Sequence, residues 1–135
     1  NLGKSYFETG KIIQAKEAFN RTIKLNPKHG HSYYHLGLIS ENIMEIDQAI
    51  ANYKNAQEYS PEIEKIFYNL GMLLYRTGNF KQAMKPLRKF IIMQPDSIHV
   101  LEVLGKIFIS ENRFSEPSTT NSLDCASSFT LWLPV

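Results

Sequence analysis

Three histidines near the start of the chain are the residues best suited, by type and spacing, to bind a metal ion. His31 and His35 are four residues apart, so on a helix both imidazoles would share one face and could chelate Zn²⁺. His29 is close by, but no Glu or further His stands at the spacing that completes such a site. We therefore predict that the chain has no metal site and that His31 and His35 are exposed or groove-facing polar residues.

The other side chains that carry chemistry form no catalytic pattern. Cys125 has no histidine near it in sequence, so nothing there would activate its thiol as a nucleophile. The glycines are scattered, without a phosphate-binding loop or a G-x-S-x-G motif. The acidic residues show no pair whose spacing indicates shared acid–base work. The sequence therefore predicts a protein that is not an enzyme and that needs no cofactor.

Composition and charge narrow the class of partner. The 135 residues are 43% hydrophobic and 21% charged, which is ordinary for a soluble globular chain. A net charge of +2 is too small to predict nucleic acid or an anionic membrane as the main partner. No apolar run approaches the roughly 18 residues that a membrane span needs. A single cysteine is compatible with a reducing compartment, which slightly favours the cytoplasm.

The elements that would position these side chains follow an internal repeat. Leu-Gly pairs begin at Leu2, Leu36, Leu70 and Leu104, at steps of 34 residues. Alanines at 15, 49 and 83 and prolines at 27, 61 and 95 keep the same step. Large apolar or aromatic residues stay in phase with both. Several residue types that hold one period indicate a chain built from copies of one unit.

This pattern resembles the tetratricopeptide repeat family, whose motif W-x2-L-G-x2-Y, A-x3-F, P extends over about 34 residues. The matching residues are Leu2-Gly3-x2-Tyr6, Ala15-x3-Phe19 and Pro27; Tyr33-x2-Leu36-Gly37, Ala49-x3-Tyr53, Ala56 and Pro61; Phe67-x2-Leu70-Gly71, Ala83-x3-Leu87 and Pro95; and Leu101-x2-Leu104-Gly105-x2-Phe108. The resemblance implies an all-α fold, a right-handed α-solenoid of stacked antiparallel helix pairs. Its units are a partial repeat at 1–29, full repeats at 30–63 and 64–97, and a partial repeat at 98–114.

The spacing within each copy predicts two amphipathic helices, because apolar and small residues follow i, i+3, i+4, i+7 twice per copy. Each proline is expected to end a helix, since the residue before a proline is pushed out of the α region. Gly10 and Gly78 are predicted at the turns between paired helices, where a positive φ costs glycine little. Met44 holds that position in the second repeat, so we expect a slightly different turn there. Pro86 falls inside a predicted helix, where we expect a kink.

The resemblance also implies where a partner would bind. In tetratricopeptide-like folds the first helix of each repeat lines a concave groove through its second, fifth, ninth, twelfth and thirteenth positions. In this chain the groove residues so implied are Lys4, Phe7 and Glu8; His31, Tyr34, Leu38, Glu41 and Asn42; Lys65, Tyr68, Met72, Tyr75 and Arg76; and His99, Glu102, Lys106 and Ile109. Tyrosines suit an interface, and the basic residues could pair with acidic groups of a partner. The alternative for each residue is packing between neighbouring helices.

One subtype of the family consists of chaperone cofactors that hold the C-terminal carboxylate of Hsp70 or Hsp90 with a clamp of Lys, Asn and Arg side chains. The clamp positions present here hold Lys4, His35, Lys65 and Asn69. Only Lys65 is the expected residue, so the resemblance disfavours binding of chaperone tails. The basic residues Lys81, Lys85, Arg88 and Lys89 share one side of a predicted helix, and we expect a solvated face there.

Both ends of the chain interrupt the repeat pattern. Residues 112–116 read like the start of a second helix, but Pro117 stands where the next alanine is due. Residues 115–135 are rich in Ser and Thr, contain no Lys or Arg, and finish in an apolar run. We predict an irregular tail there, with a fold-back cap or a ligand for another chain's groove as alternatives; a truncation or reading-frame change also fits. Since Asn1 opens inside a repeat, we expect the native N-terminus to be missing.

The predicted function is that of a protein-interaction scaffold which binds a peptide or partner segment in the concave groove. One alternative is the targeting arm of a larger enzyme, such as a glycosyltransferase or sulfotransferase, whose catalytic domain lies outside this chain. A second alternative is a self-assembly module that joins copies through solenoid ends or the tail. The expected partner is a protein or peptide, rather than a nucleic acid or a membrane.

Overall fold

The computed structural model describes residues 10–115, and this part of the chain is helical with no β-strand. Its six helices are α1 (Ile12–Leu25), α2 (Gly30–Asn42), α3 (Ile46–Tyr59), α4 (Glu64–Arg76), α5 (Phe80–Met93) and α6 (Ile98–Ser115). The prediction of an all-α fold is confirmed. No helix among these residues is long and apolar enough to cross a membrane. The predictions for the tail beyond Ser115 lie outside the described residues.

The chain divides into two compact units, Asn1–Leu70 and Gly71–Val135. In the first unit α1 packs on α2 and α2 packs on α3, and in the second unit α5 packs on α6. The antiparallel pair α2 and α3 corresponds to the second repeat predicted from the sequence. Its helices are joined by only three residues, Ile43 to Glu45, which is typical of a helical hairpin.

The core of the first unit forms from the residues that keep the repeat phase. Ala15 and Phe19 of α1 are fully buried and pack with Leu36 and Ile39 of α2. Because residues four apart lie on the same face of an α-helix, the short Ala15 and the large ring of Phe19 together fill the space between α1 and α2. Burial of each large side chain contributes about 1.5–3 kcal/mol.

The second unit repeats this arrangement with aliphatic residues in place of the aromatic ring. Ala83, Leu87 and Ile91 of α5 are buried at four-residue spacing. The buried residues of α6 are Val100, Val103, Leu104 and Ile107, which form one apolar face. Packing of these two faces against each other stabilises the unit.

Three helices end in the same way, directly before a proline. The residues before Pro27, Pro61 and Pro95 have φ of −140°, −138° and −132°, outside the α region, and they close α1, α3 and α5. Each still donates its backbone N–H to the carbonyl four residues earlier, at 2.7–2.8 Å. The predicted role of these prolines as helix ends is therefore confirmed.

Left-handed residues make the turns before α1, α3 and α5. Gly10 has φ 80° and Gly78 has φ 84°, as the sequence predicts. Met44 has φ 64°, so it adopts the same left-handed region without being a glycine. A left-handed conformation costs a residue with a Cβ about 1–2 kcal/mol. The second repeat thus keeps the turn of the other repeats and carries local strain instead.

The last helix differs from the prediction. Residues 112–115 continue α6, so the expectation that a second helix starts there is wrong. The position equivalent to Gly10, Met44 and Gly78 holds Asn112, which here stays helical.

In α5, Pro86 is buried and the helix remains continuous from Phe80 to Met93.

Candidate peptide-binding groove

In the first unit, a glycine sets how closely α2 and α3 approach each other. A Cβ at Gly37 would lie 2.5 Å from Cε1 and 2.6 Å from Cδ1 of Tyr53, closer than real Cβ contacts. The Tyr53 ring is fully buried against this bare stretch of α2. Its position is therefore fixed by packing on the α2 backbone.

The fixed ring of Tyr53 in turn positions a carboxylate. Its Oη donates a hydrogen bond of 2.8 Å to Oε2 of Glu41, near the C-terminal end of α2. Hydrogen bonds to an ionised acceptor are stronger than neutral ones. Glu41 is half-buried, so its carboxylate is held in a defined place and is only partly surrounded by water.

A second polar contact links α2 to the middle of α4. Nδ2 of Asn69 donates to Oη of Tyr34 over 3.3 Å. The Tyr34 ring is half-buried, with its centroid 6.2 Å from that of Tyr53 and 5.4 Å from that of His35. Burial, with a smaller contribution from the charge of Glu41, raises the pKa of Tyr34 above its usual 10.0, although the bond from Asn69 opposes this shift. Tyr34 therefore stays a neutral phenol at physiological pH.

The histidines take structural positions. Nδ1 of His29 accepts from the backbone N–H of Ser32 at 3.3 Å and lies 2.7 Å from its hydroxyl, which caps the N-terminus of α2. His31 is exposed, as predicted. His35 is half-buried rather than exposed, and its ring stacks on that of Phe19 with centroids 4.9 Å apart and an angle of 10° between the ring planes. Residues 10–115 contain no group of three or more potential ligands that could hold a metal ion.

The structure gives the exposure of the other groove residues predicted in the first unit. Leu38 and Tyr68 are half-buried, whereas Asn42 and Lys65 are exposed. The hydrogen bonds and ring contacts above bring Tyr34 and Glu41 together with Tyr53. Lys4, Phe7 and Glu8 lie outside the described residues.

In the second unit more of the predicted groove residues are exposed. Met72 and Tyr75 are half-buried, and the Tyr75 ring packs 5.6 Å from that of Phe80. The exposed members of the set are Arg76, His99, Glu102, Lys106 and Ile109. Nζ of Lys106 pairs with Oε1 of Glu102 at 3.2 Å, one helical turn away. An exposed ion pair of this kind contributes only about 0.3–0.5 kcal/mol to stability. A partner's carboxylate could therefore take the place of Glu102 beside Lys106 at little cost in free energy.

Two residues that position Tyr34 and Glu41 in the first unit were missing from the groove predicted by sequence. Asn69 follows the implied groove residue Tyr68 by one position, and its amide reaches Tyr34 on the neighbouring first helix. Tyr53 is a repeat-motif residue whose ring is buried in the core, and its hydroxyl donates a hydrogen bond to Glu41. The available signal was the phenol itself, because a buried tyrosine hydroxyl generally finds a polar partner.

The basic residues of α5 lie on the solvent side. Lys81, Lys85, Arg88 and Lys89 are all exposed. This exposure agrees with the solvated face predicted for them.

Comparisons with known proteins identify the repeat. Two sequence profiles described as "Tetratricopeptide repeat" match residues 1–29 and 45–98. The chain belongs to the tetratricopeptide repeat family. This assignment confirms the family predicted from the Leu-Gly, Ala and Pro spacing.

Curated relatives are proteins longer than this chain. BBSome complex member BBS4 of Bos taurus is 27% identical over 84% of this chain and 22% of its own length. Small glutamine-rich tetratricopeptide repeat-containing protein 2 of Mycosarcoma maydis is 28% identical over 90% of this chain and 35% of its own length. The human protein O-mannosyl-transferase TMTC3 is 22% identical over 84% of this chain and 13% of its own length. The chain thus spans about a third or less of the length of these relatives.

Solved structures confirm the helical-repeat solenoid fold. The first tetratricopeptide domain of Spaghetti (RPAP3), bound to the Hsp90 peptide SRMEEVD, has a TM-score of 0.68 at 16% identity, over 80% of this chain and 88% of that domain. MamA from AMB-1 has a TM-score of 0.74 at 20% identity, over 99% of this chain and 72% of its own.

Proposed function

We propose that this tetratricopeptide chain is a protein-interaction module that binds a peptide segment of a partner on the groove face of its first unit. In this role the chain catalyses no covalent chemistry. The residues that carry binding are Tyr34, Glu41, Lys65 and Tyr68, supported by Asn69. Met72, Tyr75 and Arg76 provide a further patch within the second unit.

The observation that carries this proposal is the fixed polar and aromatic cluster of the first unit. Tyr34 is held by Asn69 at 3.3 Å, and Glu41 is held by Tyr53 at 2.8 Å. Both Tyr34 and Glu41 occupy positions that the family resemblance implies for the groove. Side chains already fixed in a binding geometry lose little conformational entropy when a ligand arrives. Tyrosine also supplies apolar area together with a hydroxyl, which suits peptide recognition.

Related proteins support an interaction role. Tetratricopeptide domains with this fold have been solved with Hsp90 and Hsp70 peptides. The bovine relative is a member of a complex, the BBSome. These comparisons favour binding of a protein. Which protein this chain binds depends on its own groove side chains.

Selection from a displayed peptide library tests the proposal. The full chain is immobilised, enriched peptides are synthesised, and their affinity is measured by fluorescence anisotropy. The double variant Tyr34→Ala, Tyr68→Ala should weaken binding at least tenfold, with helical circular dichroism retained. The matched control is Lys54→Ala, Glu58→Ala, which changes two exposed residues of α3. Equal losses in both variants, or no enriched peptide at all, would show that the groove assignment is wrong.

The similarity to TMTC3 favours a second candidate, in which these repeats form the targeting arm of a larger enzyme. In that case the groove would hold the substrate protein, and chemistry would occur in another domain. The complete coding sequence decides between the two candidates. An open reading frame with repeats and no catalytic domain excludes the targeting arm.

A further inference from the structure

We propose that the solvent face of α5 is a second docking surface, which binds an acidic helical segment of a partner protein. This face, called the α5 row below, consists of four exposed side chains: Lys81, Lys85, Arg88 and Ile92. It lies in the second unit and on the second helix of a repeat, whereas the groove residues implied by the family resemblance lie on first helices. The α5 row is therefore separate from the groove of the proposed function.

The spacing of the four residues places them in one line along α5. They stand at positions i, i+4, i+7 and i+11, which share one side of an α-helix. At about 1.5 Å per residue the line is about 16 Å long. Ile92 exposes 64% of its surface, whereas Ala83, Leu87 and Ile91 bury the opposite side of the helix. The α5 row is thus the side of the helix that its own unit leaves open.

The equivalent rows of the other repeats carry mixed charge. At steps of 34 residues they consist of Asp47, Ala51, Lys54 and Glu58 on α3, and of Ile13, Glu17, Asn20 and Lys24 on α1. These residues are exposed as well, so this side faces solvent in all three helices. Acids and bases offset each other on α1 and α3, whereas α5 has three cations in its row and no Asp or Glu anywhere in the helix. The repeat itself therefore does not require the positive charge of α5.

An acidic partner complements the α5 row. Like charges one helical turn apart repel each other, and α5 has no carboxylate of its own to pair with them. Carboxylates of a partner would offset this repulsion and steer the encounter. Ile92 adds an apolar contact at the C-terminal end of the row, where α1 and α3 hold the charged residues Lys24 and Glu58. The partner segment so defined has several carboxylates on one side and an apolar residue at one end.

The geometry of the row favours a helical segment over an extended one. Successive members of the row are about one turn apart, and a turn of α-helix rises about 5.4 Å. A second helix has the same rise, so it can present one side chain to each turn along the whole row, as in a coiled-coil seam. On one face of an extended segment, side chains recur at about 6.4–6.8 Å. Such a segment would lose register with the row within its length.

A membrane or a nucleic acid suits this face less well. A helix that binds in a bilayer interface inserts its apolar face, but the apolar residues of α5 at positions 83, 87 and 91 are buried within the unit. Single-stranded nucleic acid is bound by aromatic side chains together with cations, and the α5 row has no aromatic residue. A polyanion would also leave Ile92 without an apolar contact.

A displayed library of helical peptides tests the α5 row. Peptides are selected on the full chain, counter-selected on the charge-neutral variant Lys81→Gln, Lys85→Gln, Arg88→Gln, and measured by fluorescence anisotropy. The selected peptides should carry Asp or Glu at helical spacing and an apolar residue at one end. The charge-neutral variant should bind them about tenfold more weakly, with its helical circular dichroism retained. Binding to the parent chain should weaken as salt is raised.

Two matched variants separate the α5 row from the net charge of the chain. Arg21→Gln, Lys24→Gln, Lys54→Gln removes the same number of charges from exposed positions of α1 and α3. Because distant exposed charges are screened, this variant should bind within about twofold of the parent. The second variant rebuilds the row on α3 of the charge-neutral chain through D47K, A51K, K54R and E58I. It should recover the lost binding.

Three results would overturn this assignment. The first is a selected set of neutral or basic peptides. The second is the absence of any peptide that distinguishes the parent from the charge-neutral variant. The third is binding of phosphatidylserine vesicles or single-stranded DNA that depends on Lys81, Lys85 and Arg88 while no acidic peptide is selected.

Discussion

The phenol of Tyr53 lies in the core of the α2–α3 hairpin, and its hydroxyl donates a 2.8 Å hydrogen bond to the half-buried carboxylate of Glu41. One side chain thus serves both packing and polar positioning. The ring determines how closely the helices approach, and the hydroxyl determines where a charged group of the groove is held. The stability of the hairpin and the geometry of the candidate site are therefore coupled through a single residue.

The variant Tyr53→Phe should lower the free energy of unfolding by about 1.5–3 kcal/mol, the range for hydrogen bonds to charged groups. The ring still fills its place beside Gly37, so the loss comes from the missing hydrogen bond to the carboxylate of Glu41. Urea unfolding followed by circular dichroism measures the change.

The same substitution at Tyr33 is the matched control. Its hydroxyl donates to the carbonyl oxygen of Pro27 at 3.1 Å in an exposed position. Water can replace this donor, so Tyr33→Phe should cost less than about 0.5 kcal/mol. Equal costs at the two tyrosines would show that the bond to Glu41 contributes nothing special.

Two glycines at equivalent repeat positions should respond to alanine with opposite signs. A Cβ at Gly37 meets the Tyr53 ring at 2.5 Å, whereas a Cβ at Gly105 meets nothing within 4 Å. Overpacking costs about 1–3 kcal/mol, and replacing a helical glycine by alanine gains about 0.5–1 kcal/mol. Gly37→Ala should therefore destabilise the chain by about 1–2 kcal/mol and Gly105→Ala should stabilise it. Thermal unfolding of both variants, compared with the parent chain, checks the two signs.

The left-handed turn at Met44 should be improved by glycine. Met44 is exposed and has φ 64°, so its side chain adds strain without filling a core. Met44→Gly should raise the free energy of unfolding by about 0.5–1 kcal/mol, the left-handed strain of about 1–2 kcal/mol less the greater unfolded-state entropy of glycine.

Gly78 supplies the reverse experiment. It has φ 84° and open space around a built Cβ, so Gly78→Ala should cost about 1 kcal/mol through backbone strain alone. Chemical denaturation measures both variants. A loss of stability in Met44→Gly would mean that the methionine side chain packs favourably and that the turn is not strained.

Alkaline pH should destabilise the parent chain through Tyr34. Burial raises the pKa of Tyr34 above 10.0, the value for an unfolded chain. Above pH 10 the unfolded state therefore releases this proton first, and stability falls as pH rises towards the folded pKa. In Tyr34→Phe this position cannot ionise, so the stability of the variant should fall less than that of the parent chain as pH rises above 10. Asn69→Ala removes the bond that lowers the pKa of Tyr34, so ultraviolet titration should place the phenol's ionisation at still higher pH. No difference between parent and Tyr34→Phe in alkaline unfolding would contradict this.

The helices and turns could be predicted from the sequence because the repeat encodes them several times over. Prolines that recur with the alanines and Leu-Gly pairs specify where α1, α3 and α5 end, and the structure ends them there. The prediction was wrong at one repeat position, because Asn112 stands where the period predicts a turn yet continues α6. The period also gave no sign that His35 stacks on Phe19.

The polar cluster was less predictable for a related reason. Periodicity reports which side of a helix is apolar, but a hydrogen bond depends on side-chain conformations from two helices. The link from Asn69 to Tyr34 spans 35 residues and the link from Tyr53 to Glu41 spans 12. Neither pair has a spacing that a single helix would produce.

The pairing of a bare glycine with one large neighbour has a consequence for protein engineering. In the α2–α3 hairpin Gly37 faces an aromatic ring. In the second unit Gly71 faces the branched end of Leu87, and a Cβ added at Gly71 would lie 2.5 Å from Cδ2 of that leucine. Tyrosine and leucine differ in volume and shape, so a chimera that exchanges α3 for α5 would leave one glycine beside the wrong partner. The module that can be transplanted between copies is therefore a whole hairpin, and shuffled arrays should be cut at the prolines rather than at the glycine turns.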